Sequence, residues 1–537
     1  MNKKLIAVLG VVAFVLGLVV LGCAQDRLRT LTILHTNDTH SALLPFGPNR
    51  EFGGIARMSA LIKRLRARNR NVLAINAGDV FVGAFEFNKY LGYPELKIMD
   101  GLYDAMELGN HEFDLGLDVL GGVLAGVLGD LGPVELPVLC ANVSFPADSF
   151  LESRVVPYII KQVDGIKVGI FGLVNTDQQN YSGDVYAMLS DPIAAAVAQV
   201  TELRGAGCEV VICVSHLGTA WDVQGLSQVP GIDIIVGGHS HDIFVQPKIK
   251  GGKIIVQAGD FGRYLGELKV TVGRGHVRLA SYTLHPVNLW TRVDLSLLPR
   301  LNTLRDGIIA DPRFGDVFSE PVALAKREIR ETWDLTGPHP KYRDTALGNL
   351  VADAMKSGVL KAGLPADIAL EVMGYTASKI YRGKVVGNDI LRAVPYGYDP
   401  ASGLGFKIVV VPLPGQMLLG LLEYSVSMIE VTQDLCLEPS GLAFAYDSSK
   451  PAAPFGSLSR IDPMSVRVNG DFVNPEAVYM VAMNEQVFKS IEALLPPGML
   501  TSIETGLLEY NLVRDFMQDL GRVRYASEGR IIDTASK

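Results

Sequence analysis

Six of the nine histidines in this chain lie within a set of five short segments built from His, Asp, Asn and Gly. The segments read His35-Thr36-Asn37-Asp38-Thr39-His40, Gly78-Asp79, Gly109-Asn110-His111-Glu112-Phe113-Asp114, Ser215-His216 and Gly237-Gly238-His239-Ser240-His241. On an extended chain residues i and i+2 point the same way, so Asp38 and His40 can hold one ion between them, and His239 and His241 repeat the spacing. A donor set of carboxylate, imidazole and amide suits Mn, Fe, Co or Zn rather than Ca, and the lack of thiolate argues against a closed structural zinc site. One Asp can bridge two ions about 3.5–4 Å apart, as in two-metal hydrolases, where the pair lowers the pKa of a bridging water and neutralises phosphoryl charge during in-line attack. A single strand-end histidine is ordinarily a hydrogen-bonded structural residue. Six of them, all beside Gly or a polar partner, call for a common purpose.

The segments must be positioned by the elements that precede them. Strand candidates are LTILHT (31–36), NVLAINA (71–77), VGIFGLV (168–174), EVVICVS (209–215), IDIIVG (232–237) and KIIVQA (253–258), with helical periodicity in GIARMSALIKRLRAR (54–68) and PIAAAVAQVTELRGAG (192–207). This alternation predicts an α/β domain. Ligands in open α/β sheets bind at the carboxyl ends of the strands, so the five clusters are expected to converge on one pocket. Residues 293–320 read as a linker helix with a polar connector. A second α/β region covers 321–537, with a helix at LGNLVADAMKSGVL (347–360) and strand-like runs ADIALEVM (366–373) and FKIVVVPL (406–413). The expected organisation is a leader at 1–22, a catalytic domain at 23–292, the linker at 293–320 and a second domain at 321–537.

The composition narrows the class. With 537 residues, 48% hydrophobic and 20% charged, the chain is neither disordered nor collagenous, and five cysteines do not make a disulfide scaffold. Its 49 basic against 57 acidic side chains, a net charge of −8, give no broad basic surface, so no nucleic-acid polymer is expected as a partner. Lys3 and Lys4 precede an uncharged run from Leu5 to Gly22, which is long enough to span a bilayer. The run ends in Val20-Leu21-Gly22-Cys23, and a small residue then Cys after an apolar stretch resembles the lipobox of bacterial lipoproteins. That resemblance implies cleavage before Cys23 and lipidation there; an uncleaved anchor or an ordinary signal peptide are the alternatives. Each places the body of the protein outside the cytoplasm, on the first reading lipid-anchored to a bacterial membrane and facing the periplasm or the cell surface. Cys140, Cys208, Cys213 and Cys436 form no metal or redox motif and read as small buried residues.

Taken in order, D-x-H, GD, GNHEFD, SH and GGHSH resemble the calcineurin-like metallophosphoesterases. More narrowly, LTILHTNDTH, GNHEFDLG, VSHLG and GGHSH look like the bacterial 5′-nucleotidase/UDP-sugar hydrolase/2′,3′-cyclic phosphodiesterase family. The resemblance implies an N-terminal four-layer αββα sandwich, a C-terminal α/β substrate-binding domain and two divalent metal ions, with a small phosphate ester, by default a nucleotide, as substrate. Carried over by motif, one ion is held by Asp38, His40, Asp79 and His241, and the other by Asp79, Asn110, His216 and His239. His111 is then free to face the leaving-group oxygen as general acid or charge stabiliser, oriented by Asp114. Glu112 has no role in the motif and reads as solvated.

The second domain departs from the family. KYRDTALGNLVADAM (341–355) places Arg343 as a phosphate-contacting arginine, or else as a surface charge. Where an NGGGIR-like loop is expected, the chain reads Val372-Met373-Gly374-Tyr375-Thr376-Ala377-Ser378-Lys379, with two glycines and the arginine gone; Lys379 is at best a displaced cation. Tyr396, in Val394-Pro395-Tyr396-Gly397, is a base-stacking or core aromatic. The GGDGY-like loop is replaced by EQVFKSIEALL, where Phe488 reads as packing. The expected protein is therefore a metal-dependent phosphoesterase with a degraded nucleoside clamp. A phosphoesterase for a cyclic or non-nucleotide ester, or a ligand-binding surface lipoprotein with residual catalysis, are the alternatives.

Overall fold

The structure, a computed structural model, describes residues 28–273, 275–332, 342–430, 435–454 and 456–535. The leader and the expected lipidation site Cys23 lie outside these residues. No helix among the described residues is long and apolar enough to cross a membrane. The chain forms two compact units: the first takes in the chain to Pro45, Phe52–Phe81 and Tyr90–Pro299, and the second takes in Phe46–Glu51, Val82–Lys89 and Arg300–Lys537.

Among the described residues the first unit contains thirteen strands: β1 (Arg29–Thr36), β2 (Val72–Asn76), β3 (Ala105–Glu107), β4 (Val138–Leu139), β5 (Val155–Val156), β6 (Tyr158–Val163), β7 (Ile166–Val174), β8 (Val210–His216), β9 (Ile234–Gly237), β10 (Lys248–Lys250), β11 (Lys253–Val256), β12 (Tyr264–Gly273) and β13 (His276–Pro286). They build a seven-stranded sheet, β13-β12-β1-β2-β3-β4-β5, and a six-stranded sheet, β10-β11-β9-β8-β7-β6. β1 to β5 pair in parallel, as do β7, β8, β9 and β11. Buried parallel strands need apolar residues on both faces, which is why these strands read as nearly unbroken β-branched runs. Leu31, Ile33, Leu73 and Ile75 from one sheet share a core with Val168, Ile170, Ile212, Val214, Ile234 and Val256 from the other. Behind the second sheet, Ala196, Val200 and Leu203 of helix Pro192–Gly205 pack on Phe171, Val211 and Ile235. That helix starts where Asp191 accepts a hydrogen bond from the Ala194 amide, with Pro192 in its first turn. Helix Ile55–Arg68 buries Met58, Leu61, Ile62 and Leu65. The result is the expected αββα sandwich.

In the second unit a five-stranded sheet runs Leu437–Ser440, Ile368–Val372, Val478–Asn484, Lys407–Pro414 and Ile503–Leu508. Helix Ala346–Lys361 begins at Thr345, whose side chain accepts from the Gly348 amide. The helix Leu298–Ile309 falls within the expected linker, and the short Val82–Lys89 segment joins this unit through Phe85, whose ring packs on Phe314 and Tyr510. Cys140, Cys208, Cys213 and Cys436 are all buried, and no disulfide occurs among the described residues.

Candidate metal centre

Four strands of the first unit, β1, β2, β8 and β9, and the turn after β3 end around one point. Asp38, His40 and His241 form one group of metal-type donors, and Asp79, His216 and His239 form another, the donor atoms of each lying within 4.8 Å of one another. His40 Nε2 and His241 Nε2 are 3.0 Å apart, and His241 Nε2 is 3.4 Å from Asp38 Oδ1. That spacing suits nitrogens sharing one ion at about 2.1 Å. In the second group His216 Nδ1 donates to the Ala77 carbonyl at 2.6 Å, which turns Nε2 toward Asp79 Oδ2 at 2.9 Å. His216 Nε2 is nonetheless buried without a satisfying hydrogen bond. A buried nitrogen left open this way, facing a carboxylate, fits a cation. The divalent ions that such a site implies are thus matched by the residues present.

The electrostatics agree. Burial opposes ionisation of Asp79, but the imidazoles of His216 and His111 outweigh it and hold this carboxyl well below its ordinary range. Burial likewise disfavours charge on His216 and His241, yet Asp79 and Asp38 respectively push each up to about 9. The buried carboxylates demand positive charge close by.

Holding these side chains together strains the backbone. Asp38, His40, Asp79, His239 and His241 have φ of 47°, 45°, 51°, 72° and 56°, a left-handed conformation that L-residues rarely adopt and that recurs at functional sites. The loops also approach very closely: a Cβ on Gly109 would lie 2.1 Å from Asp79 Oδ1. Glu112 locks the approach. Far from being solvated, it is 1% exposed; its carboxylate accepts the amides of Asp79 (3.0 Å), Val80 (2.7 Å), Phe81 (3.0 Å) and Gly109 (2.6 Å). It thereby ties the β2 loop to the turn carrying Asn110 and His111. The expectation of a solvated Glu112 failed because sequence spacing cannot show four amides from two loops converging on one carboxylate.

His111 stands beside the second group. Its Nδ1 is 2.8 Å from Asp114 Oδ2, and its Nε2 is 4.0 Å from Asp79 Oδ2. Burial disfavours its charge, but the Asp114 and Asp79 carboxylates overcome this and raise its pKa to about 10. Asn110 Oδ1 accepts from Asn175 Nδ2 at 2.8 Å. Asn175 was missed in the sequence, where it is simply the polar residue that follows β7, in the same strand-end setting as the other clusters. One histidine leaves the set: His35 is fully buried, stacks on Tyr282 at 5.9 Å and is pushed by burial down to about 3. It packs against Gly266 of β12, where a Cβ would lie 1.9 Å from its Nε2.

The remaining candidates lie in the second unit. Arg343 is exposed between buried Tyr342 and Asp344. Lys379 is held by Glu328 at 3.4 Å and lies over the Tyr381 ring. Tyr396 packs edge-on against Tyr375, which meets Phe406 in the same manner, at centroid distances of 6.3 and 5.3 Å. EQVFKSIE forms helix Glu485–Glu492, capped by Asn484, and Phe488 packs partly buried on the core.

Two stacked sheets with metal donors gathered at their strand ends define a calcineurin-like metallophosphoesterase, a hydrolase acting on phosphoester bonds. Residues 31–242 match the calcineurin-like phosphoesterase family and residues 322–492 match the 5′-nucleotidase C-terminal domain. The chain belongs to the 5′-nucleotidase family. The crystal structure of the 5′-nucleotidase precursor from Thermus thermophilus superposes with a TM-score of 0.79 at 30% identity, covering 94% of this chain and 100% of that one. Snake venom 5′-nucleotidase of Naja atra is 27% identical over 94% of this chain and 99% of its own length. The trifunctional nucleotide phosphoesterase protein YfkN of Bacillus subtilis is 27% identical over 94% of this chain, which spans only 35% of that relative.

Proposed function

We propose that this protein is an exported phosphoesterase that hydrolyses nucleotide phosphate esters with two divalent ions. The observation that carries the reading is the pair of donor groups set beside the His111–Asp114 couple. In this reading Asp38, His40, Asp79 and His241 would hold one ion and Asp79, Asn110, His216 and His239 would hold the other, Asp79 being common to both sets; Mn, Zn, Co and Fe all suit these donors. When bound, the ions supply an activated water and neutralise phosphoryl charge.

The chain's own residues supply position and a proton. Asp114 keeps His111 charged and fixes its ring, so that Nε2 faces the leaving group. As water oxygen bonds to phosphorus and the ester P–O bond breaks, His111 delivers its proton to the departing oxygen. Nucleotide substrates are supported by the names of the relatives, 5′-nucleotidases and a nucleotide phosphoesterase. Arg343 is the proposed phosphate contact and Tyr396 the proposed base contact. Tyr396 has its ring engaged by Tyr375, and base stacking is worth roughly 1–3 kcal/mol, so AMP is expected to bind weakly. Lipidation at Cys23 would hold the enzyme at a bacterial membrane.

The test is a panel of AMP, UDP-glucose, 2′,3′-cyclic AMP, sugar phosphates and bis-p-nitrophenyl phosphate, assayed with Mn or Co and with an Asn110→Ala control. Metal-dependent release of phosphate from a nucleotide, lost in the control, supports the reading. Turnover that survives in Asn110→Ala, or hydrolysis of sugar phosphates alone, refutes it.

A further inference from the structure

Asp260 follows β11 in the segment Gln257-Ala258-Gly259-Asp260 and belongs to none of the five clusters. It is 7% exposed. Arg263 claims one of its oxygens, donating to Oδ1 through Nε at 2.8 Å and through Nη2. The other oxygen, Oδ2, is left 3.5 Å from His241 Nδ1. On the opposite edge of that imidazole, Nε2 faces His40 Nε2 at 3.0 Å and Asp38 Oδ1 at 3.4 Å. The ring is thus held between a carboxylate on one nitrogen and the donor group on the other.

An imidazole binds a metal through a nitrogen that carries no proton, and a carboxylate on the other nitrogen keeps the proton there. We infer that Asp260, oriented by Arg263, is the positioning residue that sets the tautomer of His241 and so the affinity of the Asp38–His40–His241 group for its ion. The inference rests on the reading that this group binds metal. It assigns Arg263 a definite part: by occupying Oδ1 it leaves only Oδ2 to face the ring. Asn175, through its hydrogen bond to Asn110, has the corresponding place beside the other group.

The geometry makes an unusual demand on the isosteric variant. In Asp260→Asn, Arg263 continues to claim the side-chain oxygen, and the amide nitrogen, a donor, is turned toward His241 Nδ1. That favours the tautomer with its proton on Nε2, which cannot bind an ion. Asp260→Asn is therefore expected to be at least as damaging as Asp260→Ala. Adding Arg263→Ala to Asp260→Asn frees the amide to turn its oxygen to the ring and recovers part of the loss.

The full chain, stripped of metal, is titrated calorimetrically with Zn as wild type and as Asp260→Ala, Asp260→Asn and the Asp260→Asn/Arg263→Ala double variant, with nitrogen NMR of the His241 ring. Wild type is expected to bind two equivalents. The two single variants keep one binding step within about twofold and weaken the other roughly 10–100-fold, and the His241 resonances in Asp260→Asn move to the Nε2–H form. A wild-type-like titration of Asp260→Asn, or equal weakening of both steps, overturns the inference while leaving the metal reading intact. Wild type that binds no ion overturns both.

Discussion

His111 and Glu112 are neighbours with opposite duties, and variants separate them. His111 faces the site with a charge sustained by Asp114 and Asp79, so His111→Ala should lower kcat by about 10²–10⁴-fold, the range for a lost general acid, while the ions still bind. Glu112 makes no such contribution, because both its oxygens are taken by backbone amides of two loops. Glu112→Ala leaves four N–H groups unpaired at roughly 1–3 kcal/mol each before relaxation. It is expected to lower Tm and weaken metal binding together, measured by scanning calorimetry with and without Zn. If its loss cost kcat alone, the bracing role would be wrong. Gly109→Ala belongs with Glu112: a methyl 2.1 Å from Asp79 Oδ1 and 2.5 Å from the Asp79 backbone nitrogen must displace both the carboxylate and its loop, so metal content and Tm should fall together.

At the scale of elements, two buried carboxylates gather at the end of one strand in the second unit. The Asn484 amide, at the end of Val478–Asn484, caps helix Glu485–Glu492 and donates to Glu371 at 3.0 Å. Glu509, at the start of helix Glu509–Leu520, is held well above its ordinary range by burial and by Glu371 beside it. Its folded-state pKa is raised, so the native chain keeps a proton that the unfolded chain releases. The stability this contributes is full below the unfolded value of about 4.5 and is lost as the pH rises through the folded-state value. Glu509→Gln removes the ionisation. It should raise Tm at pH 8 and flatten the decline between pH 5 and pH 8; an unchanged slope would show that other groups set it.

For the whole molecule, metal is the simplest handle. An ion bound only by the native state stabilises by about 2.7 kcal/mol at a hundredfold excess over Kd. Chelation should therefore lower the thermal transition of the unit that holds the ions, and restoring Zn or Mn should recover it. A trace indifferent to chelator would count against a metal centre of useful affinity.

The sandwich and the donor residues were legible in the chain itself, because both rest on local regularities. Unbroken β-branched runs mark strands buried on both faces, and His, Asp and Asn spaced just past them mark strand ends. Where local spacing was stretched further it misled: His35 shares a segment with Asp38 and His40, yet it is buried against Tyr282 and Gly266. What only the tertiary structure decided is the support of the site. Glu112, Asn175 and Asp260 act across gaps of 31–33, 65 and 19 residues, on loop amides, the Asn110 side-chain amide and an imidazole. Such contacts depend on how strands order themselves in a sheet, and sequence order does not carry that. The donors are written along the chain; the conformation that makes them a metal site, with five of them in left-handed backbone, is imposed by packing around them.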